Sequence, residues 1–429
     1  MVTAMRRARL SGCAGRKPGI AAYVLALSLL GGMAQAQTGT APALGSSLPG
    51  LLSAGHALSP TLRAAALESE AAIARAAGAG VLDDPTISDR YQYYQSPGVF
   101  SAHTVMISQA FPLWGKRDLR REAAQADVDA ARGREQAAHD ELDEKIKANF
   151  AQYVALTRSI TLNHQMQTLA QRLRRAADAR YADGGGAQPD AIRAQGEETA
   201  NRLELIRLES DRRTAQIRLN TLVARPGEAP LAEPAATQAP VSAIPSLNAL
   251  LEIARTASPA LSAQSAEINA ARMRRDLADR AWYPDITVGA GPVVQTNNHP
   301  VGFAVTVGMN IPVPWGREAS GQQEAAANLG GAKQRYDAAL RDVEAALGEA
   351  ASRIEAARQT AQLLRAEGLP QARAAAQAML AAYGQGRGSL ADAIDAERQI
   401  RATELAVLQA ELDEQISRAA IERLIGRDL

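Results

Sequence analysis

The chain has 429 residues, 47 Lys and Arg against 46 Asp and Glu, a formal charge of +1, 46% hydrophobic residues and a single Cys. That length allows two or three ordinary domains, and the charge balance excludes a whole-molecule nucleic-acid surface. Ala makes up about a fifth of the sequence, whereas there are only 4 Phe, 3 Trp and 9 Tyr. A bulky globular core is therefore excluded, and side chains this small suit helices packed closely side by side. Most basic residues are Arg scattered among acids, the pattern of solvated helix faces.

At the N-terminus, Arg16-Lys17 precede an apolar run from Ile20 to Leu30, and Ala34-Gln35-Ala36 offers an A-x-A cleavage site. Residues 1–36 thus have the three-part layout of a secretory signal peptide, with a mature chain expected from about Gln37. Leu10-Ser11-Gly12-Cys13 looks like the box before a lipidated cysteine. It follows the basic stretch Met5-Arg6-Arg7-Ala8-Arg9 instead of an apolar segment, so we read it as a decoy. Cys13 is then removed with the signal, leaving neither a disulfide framework nor a cysteine metal site. Beyond the signal no stretch reaches the ~18 apolar residues of a spanning helix.

The remainder repeats itself. Ser59-Pro60-Thr61-Leu62 recurs as Ser258-Pro259-Ala260-Leu261, and Pro112-Leu113-Trp114-Gly115 as Pro312-Val313-Pro314-Trp315-Gly316 with one residue inserted. Tyr181-Ala182-Asp183-Gly184 recurs as Tyr383-Gly384-Gln385-Gly386, and Asp190-Ala191-Ile192 as Asp392-Ala393-Ile394. The halves, 37–225 and 246–429, are collinear. Between them, residues 226–245 carry Pro226, Pro230, Pro234, Pro240 and Pro245, a non-helical linker expected to run over the surface.

Each half reads as helix, strand pair, very long helix, turn, helix. The first half places a hairpin at about 86–112, a long helix at about 115–182 and a further helix at about 187–224; the second half places them at about 285–312, 316–384 and 389–426. In the second long helix, Tyr336, Leu340, Val343, Leu347, Ala350, Ile354, Ala357, Ala361 and Leu364 alternate at spacings of four and three, a heptad seam. The first long helix answers with Leu142, Ile146, Asn149, Tyr153, Leu156, Ile160 and Asn163. Only Pro370 interrupts the two stretches 116–181 and 317–383, so each can form a rod of ~100 Å. A rod this long must pack along other rods.

The strands have a period of two. Phe303, Val305, Val307, Met309 and Ile311 form one apolar face, alternating with Ala304, Thr306, Gly308 and Asn310. The partner strand runs from about Asp285 to Gln295 through the turn-rich segment Thr296 to Pro300. In the first half, 86–95 pairs with 101–112 around Ser96-Pro97-Gly98, and His103 and Gln109 interrupt the apolar face. Ten of the aromatics lie in or beside these hairpins: Tyr91, Tyr93, Tyr94, Phe100, Phe111, Trp114, Trp282, Tyr283, Phe303 and Trp315. Tilted strands of this length cross a bilayer core, and rings at strand ends match the girdles of outer-membrane barrels. The alternative is a pair of ordinary hairpins capping a helical bundle, with the rings as core. If the strands do span lipid, four per chain cannot close a barrel, and open edges in hydrocarbon are prohibitive. Copies of the chain must then share one barrel, and three copies give twelve strands.

The residues, in this order and spacing, resemble the TolC-type outer-membrane efflux proteins over essentially the whole mature chain. The resemblance rests on the signal, the two collinear halves with a hairpin in each, the Trp-Gly strand-to-helix junctions at Trp114-Gly115 and Trp315-Gly316, and Tyr-x-x-Gly at each distal turn. It implies a mainly α fold with a small β part: long coiled-coil helices forming a trimeric tunnel ~100 Å long, plus four strands per chain in a shared twelve-stranded barrel. It further implies a homotrimer in the outer-membrane lipid of a Gram-negative bacterium, with the tunnel crossing the periplasm. A periplasmic adaptor and an inner-membrane pump of the RND type would dock on it. Ser108-Gln109 and Trp114-Gly115-Lys116-Arg117 are similar to the branch serving heavy-metal pumps, the CusC/CzcC-like proteins.

The same resemblance makes the distal turns the tip gripped by an adaptor, with Tyr181, Gly184, Tyr383, Gly386 and Arg387 as contact residues. Glycine at a helix C-terminus also supplies the left-handed residue a reversal needs, and both roles can hold together. Past the second turn, Asp392 and Asp395 are three apart and share one helix face. In the family, aspartates at this spacing line the constricted periplasmic mouth. In a trimer they become rings of carboxylates, which raise one another's pKa or recruit cations. Acids in a first helical turn also simply favour the helix dipole. The first half keeps Asp190 but has Arg193 in place of the second acid. Only the second hairpin can therefore supply the pair, which would make it the inward one.

No catalytic constellation, cofactor motif or metal-ligand spacing is visible. The five histidines, at 56, 103, 139, 164 and 299, are dispersed, and there is neither a phosphate loop nor an activated-nucleophile motif. The expectation is a passive outer-membrane channel of a tripartite efflux system for heavy-metal cations or small toxic compounds. The alternatives are a type I secretion channel for polypeptides and a periplasmic coiled-coil adaptor or scaffold.

Overall fold

The computed structural model describes residues 44–93, 101–235, 244–295, 300–313 and 315–429. The expected signal peptide, both hairpin tips (Ser96-Pro97-Gly98 and Thr296 to His299), and Tyr94, Phe100 and Pro314 lie outside the described residues. The first repeat comprises helices α1 (Leu48–Leu58) and α2 (Pro60–Ala79), strands β1 (Thr86–Gln92) and β2 (Ala102–Phe111), and helices α3 (Lys116–Ala182) and α4 (Gln188–Leu222). The second comprises α5 (Leu247–Ala257), α6 (Pro259–Asp279), a 3₁₀ turn (Arg280–Trp282), β3 (Ile286–Gln295), β4 (Gly302–Met309), α7 (Arg317–Leu363), a π turn (Leu364–Gly368), α8 (Leu369–Gly384) and α9 (Leu390–Ile425).

Three details depart from the sequence reading. The opening helix of each half is two helices, broken at Ser59-Pro60 and Ser258-Pro259. Both serines are extended (ψ 123° and 119°), as a residue before proline prefers, and each proline takes the first helical position. The second long rod is not a uniform α-helix. Pro370 has no N–H to continue the ladder, and just before it the helix widens by a π turn in which the Leu369 N–H reaches back to the Leu364 carbonyl. Strand β4 ends at Met309, so Ile311 lies outside the ladder within this chain.

The buried residues show the duplication more finely than the motifs do. One cluster gathers Leu51, Leu62, Leu142, Ile146, Leu219 and Val223; the other gathers Leu250, Leu261, Val343, Leu347, Ile421 and Ile425. These are the same positions of the two repeats. Each fully buried aliphatic side chain contributes ~1.5–3 kcal/mol. A third cluster, at the distal end, joins the halves: Leu173, Ala177 and Ala194 pack with Tyr383, Leu390, Ala393 and Ile394. Helix α3 is buried on more than its heptad seam, because it packs against α2, α4, α6 and α9. Close approach makes this possible. At Gly133, an added Cβ would stand 2.9 Å from Ala263. The linker's described part is held against the chain, with Ala232 N–H donating to the Leu44 carbonyl at 2.9 Å and Asn220 Nδ2 donating to the Gly227 and Ala229 carbonyls at 2.8 Å.

The α4–α9 contact contains a buried acid. Glu397 lies on α9 with neither carboxylate oxygen hydrogen-bonded, beside Glu197 of α4, which Arg398 holds at 2.5 Å and Arg401 approaches at 3.6 Å. Burial lifts the Glu397 carboxyl from 4.5 to about 7; Glu197 adds to the rise, and Arg401 and Arg398 oppose it. Because the folded state holds this proton more tightly than the unfolded chain, the protonated acid is fully tolerated below pH 4.5. The folded state then loses up to ~3 kcal/mol per chain as pH climbs to about 7, and no more above that. Glu397→Gln should therefore raise the unfolding midpoint relative to the parent at pH 8 and leave it unchanged at pH 4.5. Equal shifts at both pH values in thermal melts of the detergent-solubilised protein would refute this origin.

Candidate functional site

The four strands form one antiparallel sheet in the order β1-β2-β3-β4, with β1 and β4 as its two edges. The register puts Ile87 opposite Ile107, Phe111 opposite Ile286, Ala290 opposite Val305, and Val288 opposite Val307. One face therefore carries Ile87, Val105, Ile107, Phe111, Ile286, Val288, Phe303, Val305, Val307 and Met309. The other carries small or polar residues such as Ser88, Thr104, Ser108, Thr287, Gly289, Gly291, Ala304 and Thr306. Gly291 is required by contact, since a Cβ there would run into the Val105 carbonyl oxygen. The expected apolar stripe Phe303, Val305, Val307 and Met309 is exposed in the chain, as is Ile311 beyond the strand. The polar intruders on this face have partners. His103 meets Asp89 at 3.4 Å and the Tyr91 ring at 4.5 Å, and Gln109 donates to the Asp83 carbonyl at 2.7 Å.

The strand-to-helix junctions share a backbone device. Gly115 (φ +70°) and Gly316 (φ +96°) both take the left-handed conformation at the start of a long helix. Their surroundings differ. Trp114 donates from Nε1 to the Pro284 carbonyl at 2.9 Å and lies 5.3 Å from the Tyr283 ring. The buried Lys116 ammonium sits 2.9 Å from both Asp285 oxygens and 2.7 Å from the Tyr283 carbonyl. Arg280 donates to the Trp114 carbonyl at 2.5 Å. The first junction is thus clamped to the entry of β3. Trp315, its counterpart, is 87% exposed.

At the distal end the two turns have one geometry. Gly184 (φ +74°) and Gly386 (φ +79°) follow helices whose last carbonyls are satisfied by Gly185 N–H to Arg180 and Arg387 N–H to Ala382. Their tyrosines differ, which corrects one expectation. Tyr181 is 50% exposed, but Tyr383 is 3% exposed, because Arg180 lays its guanidinium 4.8 Å from the ring centroid and donates to the Tyr383 carbonyl at 3.1 Å. The Tyr383 ring therefore belongs to the join between the halves and offers a partner no surface. Arg387 is exposed beside Gln385. Asp392 and Asp395 are both exposed in the first turns of α9, which Ser389 caps by accepting from the Asp392 N–H at 3.1 Å; Asp395 lies 3.7 Å from Arg398.

The sequence does not single out Arg180 or Glu397, and it marks Lys116 only as part of the Trp-Gly-Lys-Arg motif and Asp285 only as the start of a strand. Each draws its role from a residue in the other half, which no local pattern reveals. Among the described residues no group of His, Cys, Asp and Glu could hold a metal, and no helix is long and apolar enough to cross a membrane.

A model of the outer membrane efflux protein family matches residues 51–225 and 250–427, one match for each half. No curated protein sequence matches the chain. Among solved structures, the outer membrane protein VceC from Vibrio cholerae superposes with a TM-score of 0.77 at 19% identity, covering 89% of this chain and 96% of that one. A membrane protein from Pseudomonas aeruginosa gives 0.79 at 19% identity, covering 90% and 91%. CusC gives 0.77 at 15% identity, covering 89% and 92%. At these identities the superpositions establish the TolC-like fold, and with both halves matched by the family model, the chain belongs to the outer membrane efflux protein family.

Proposed function

We propose that this protein is the outer-membrane channel of a tripartite efflux system: a homotrimer that acts as a passive conduit, without enzymatic activity, from an inner-membrane pump and periplasmic adaptor to the outside. The observation that carries the reading is a sheet apolar on one face, small and polar on the other, and open at both edges. In hydrocarbon an unpaired edge is prohibitive, so the edges of three chains close on one another into twelve strands. Tyr91, Tyr93 and Phe303 lie near the hairpin tips, and Phe111, Trp114, Trp282, Tyr283 and Trp315 near the junctions, which supports two interfacial girdles. The sheet is a simple meander joined to long helices, which disfavours an adaptor. The distal turns, through Tyr181, Gly184, Gly386 and Arg387, are the surface for the adaptor, and Asp392 and Asp395 form the acidic rings of the periplasmic mouth. In CusC, conformational changes accompany folding and transmembrane channel formation. The Trp-Gly-Lys-Arg junction, similar to that of the branch serving heavy-metal pumps, favours heavy-metal cations or small toxic compounds as cargo, passed by weak acidic rings instead of tight sites.

Three experiments test this reading. Phe111 pairs with Ile286 inside the chain, so the repeat places Ile311 opposite the partner subunit's Ile87, with Cα atoms ~4.5–5.5 Å apart. Ile87→Cys with Ile311→Cys should give a covalent trimer on non-reducing gels of oxidised outer membranes, and a covalent or free monomer alone would sink the ring. Val307→Arg should cost ~2–4 kcal/mol and deplete the protein from the outer membrane if the position is near the bilayer midplane; normal abundance would mean the faces are reversed. Replacing Asp392 and Asp395 together by Ala should raise single-channel conductance and weaken its block by divalent cations in planar bilayers. Unaltered conductance and block would remove these acids from the mouth.

A further inference from the structure

The two junctions are built from matching residues, yet only one is partnered. Trp114, Gly115 and Lys116 have Trp315, Gly316 and Arg317 as counterparts, and Tyr283-Pro284, which receive the first set, have Asp84-Pro85. Within the chain, the end of β2 lies beside the start of β3, and the Trp114 and Lys116 contacts bridge that step. The end of β4 and the start of β1 occupy the two edges of the sheet. There Trp315 and Arg317 stand exposed at one edge, and Asp83, Asp84 and Pro85 at the other. Among the described residues, none of Arg317, Asp83 and Asp84 is in an ion pair within the chain, whereas Lys116 is 5% exposed and fully paired.

We infer that Trp315 and Arg317 form an intersubunit latch: Trp315 packs on the partner subunit's Asp84 and Pro85, donating its Nε1–H to the partner's Pro85 carbonyl, while Arg317 pairs with the carboxylate of the partner's Asp84. The inference rests on the trimeric reading above and adds the residues that fix one subunit on the next. Strand order permits it, because β4 followed by a neighbour's β1 continues the antiparallel alternation and brings these segments to the same end of the sheet. The charges are complementary. The position of Asp285 is taken by Thr86, so the acid lies before the proline instead of after it. The longer reach of Arg and its forked donors accommodate the shift. Trp114, 54% exposed, already combines a girdle position with an N–H bond to a neighbouring segment, and an aromatic anchor with an N–H to place is common at interfaces.

Charge reversal provides the test. Asp84→Arg sets two cations face to face and Arg317→Glu sets two anions face to face; each should lower the temperature at which the trimer band dissociates on SDS gels by several degrees. The double reversal should recover most of the loss, and Trp315→Ala should lower the temperature as well. Each variant is also made in the Ile87→Cys, Ile311→Cys background, whose covalent trimer reports the ring independently. A covalent trimer with unaffected single reversals, or with no recovery in the double, overturns the latch and leaves the ring standing. Absence of the covalent trimer in the parent background overturns both. Should reversed chains fail to reach the membrane, Asp84→Cys with Trp315→Cys treated with a short bismaleimide decides. A cross-linked trimer supports the latch, and a trimer that stays non-covalent overturns it.

Discussion

The unpaired backbone groups along β1 and β4 govern the rest of this structure. Each edge presents a row of N–H and C=O groups, and in a bilayer every such group must find a partner. A protein can solve this by adding strands until its own sheet closes. The described residues of this chain hold four, two per repeat, and the apolar face of their sheet is left exposed instead of being folded onto the helices. Closure by identical neighbours, as proposed above, sets a demand elsewhere. If strands from three chains form one wall, the helices that continue from them must also run side by side around a common axis.

The helical part meets that demand with small side chains. Alanines at 123, 126, 130 and 131 of α3 and at 263, 266, 270 and 271 of α6 are buried, and Gly133 lets the two backbones come closer still. Helices with this surface can pack along much of their length without the bulky ridges that force large crossing angles. Larger residues are concentrated in two equivalent clusters, Leu142 and Ile146 in one and Val343 and Leu347 in the other, so each repeat carries its own anchor and the long stretches between are held by many modest contacts. Ion pairs such as Lys147 with Glu422 and Arg158 with Glu411 then tie the first repeat to α9.

Features carried by periodicity were legible in the sequence. The heptad seam of α7 is buried from Val343 to Ala361, the duplicated Trp-Gly junctions do start the long helices, and the period of two around Phe303 to Met309 is the apolar face of an edge strand. Features that depend on a second segment were not legible. Tyr181 and Tyr383 occupy the same place in the repeat, and only the arrival of Arg180 from the neighbouring turn distinguishes an exposed ring from a buried one. Glu397 is one acid among many on a helix until Glu197 is seen beside it. The π turn is an intermediate case. Pro370 marks an interruption, and the ladder answers it by widening one residue, so that α7 runs through the π turn into α8 without a loop.

The repeat also explains why the two ends of the molecule should behave differently once three copies meet. Around a ring, joins within a chain alternate with joins between chains, and a residue that secures the first kind can secure the second only if its counterpart keeps the same chemistry. At the junction end it does, since Trp114 and Lys116 become Trp315 and Arg317. At the distal end it does not. Arg180, whose guanidinium covers Tyr383 and holds its carbonyl, corresponds to Ala382, so the position that makes this contact in the first repeat cannot make it in the second. A cation over an aromatic ring is worth ~0.5–2 kcal/mol, and within the chain that contact helps hold the two turns together. The acids follow the same asymmetry, with Arg193 in the first repeat where the second has Asp395. The two repeats thus present unlike distal ends, one tied to its partner turn by Arg180 and the other carrying the acidic pair Asp392 and Asp395.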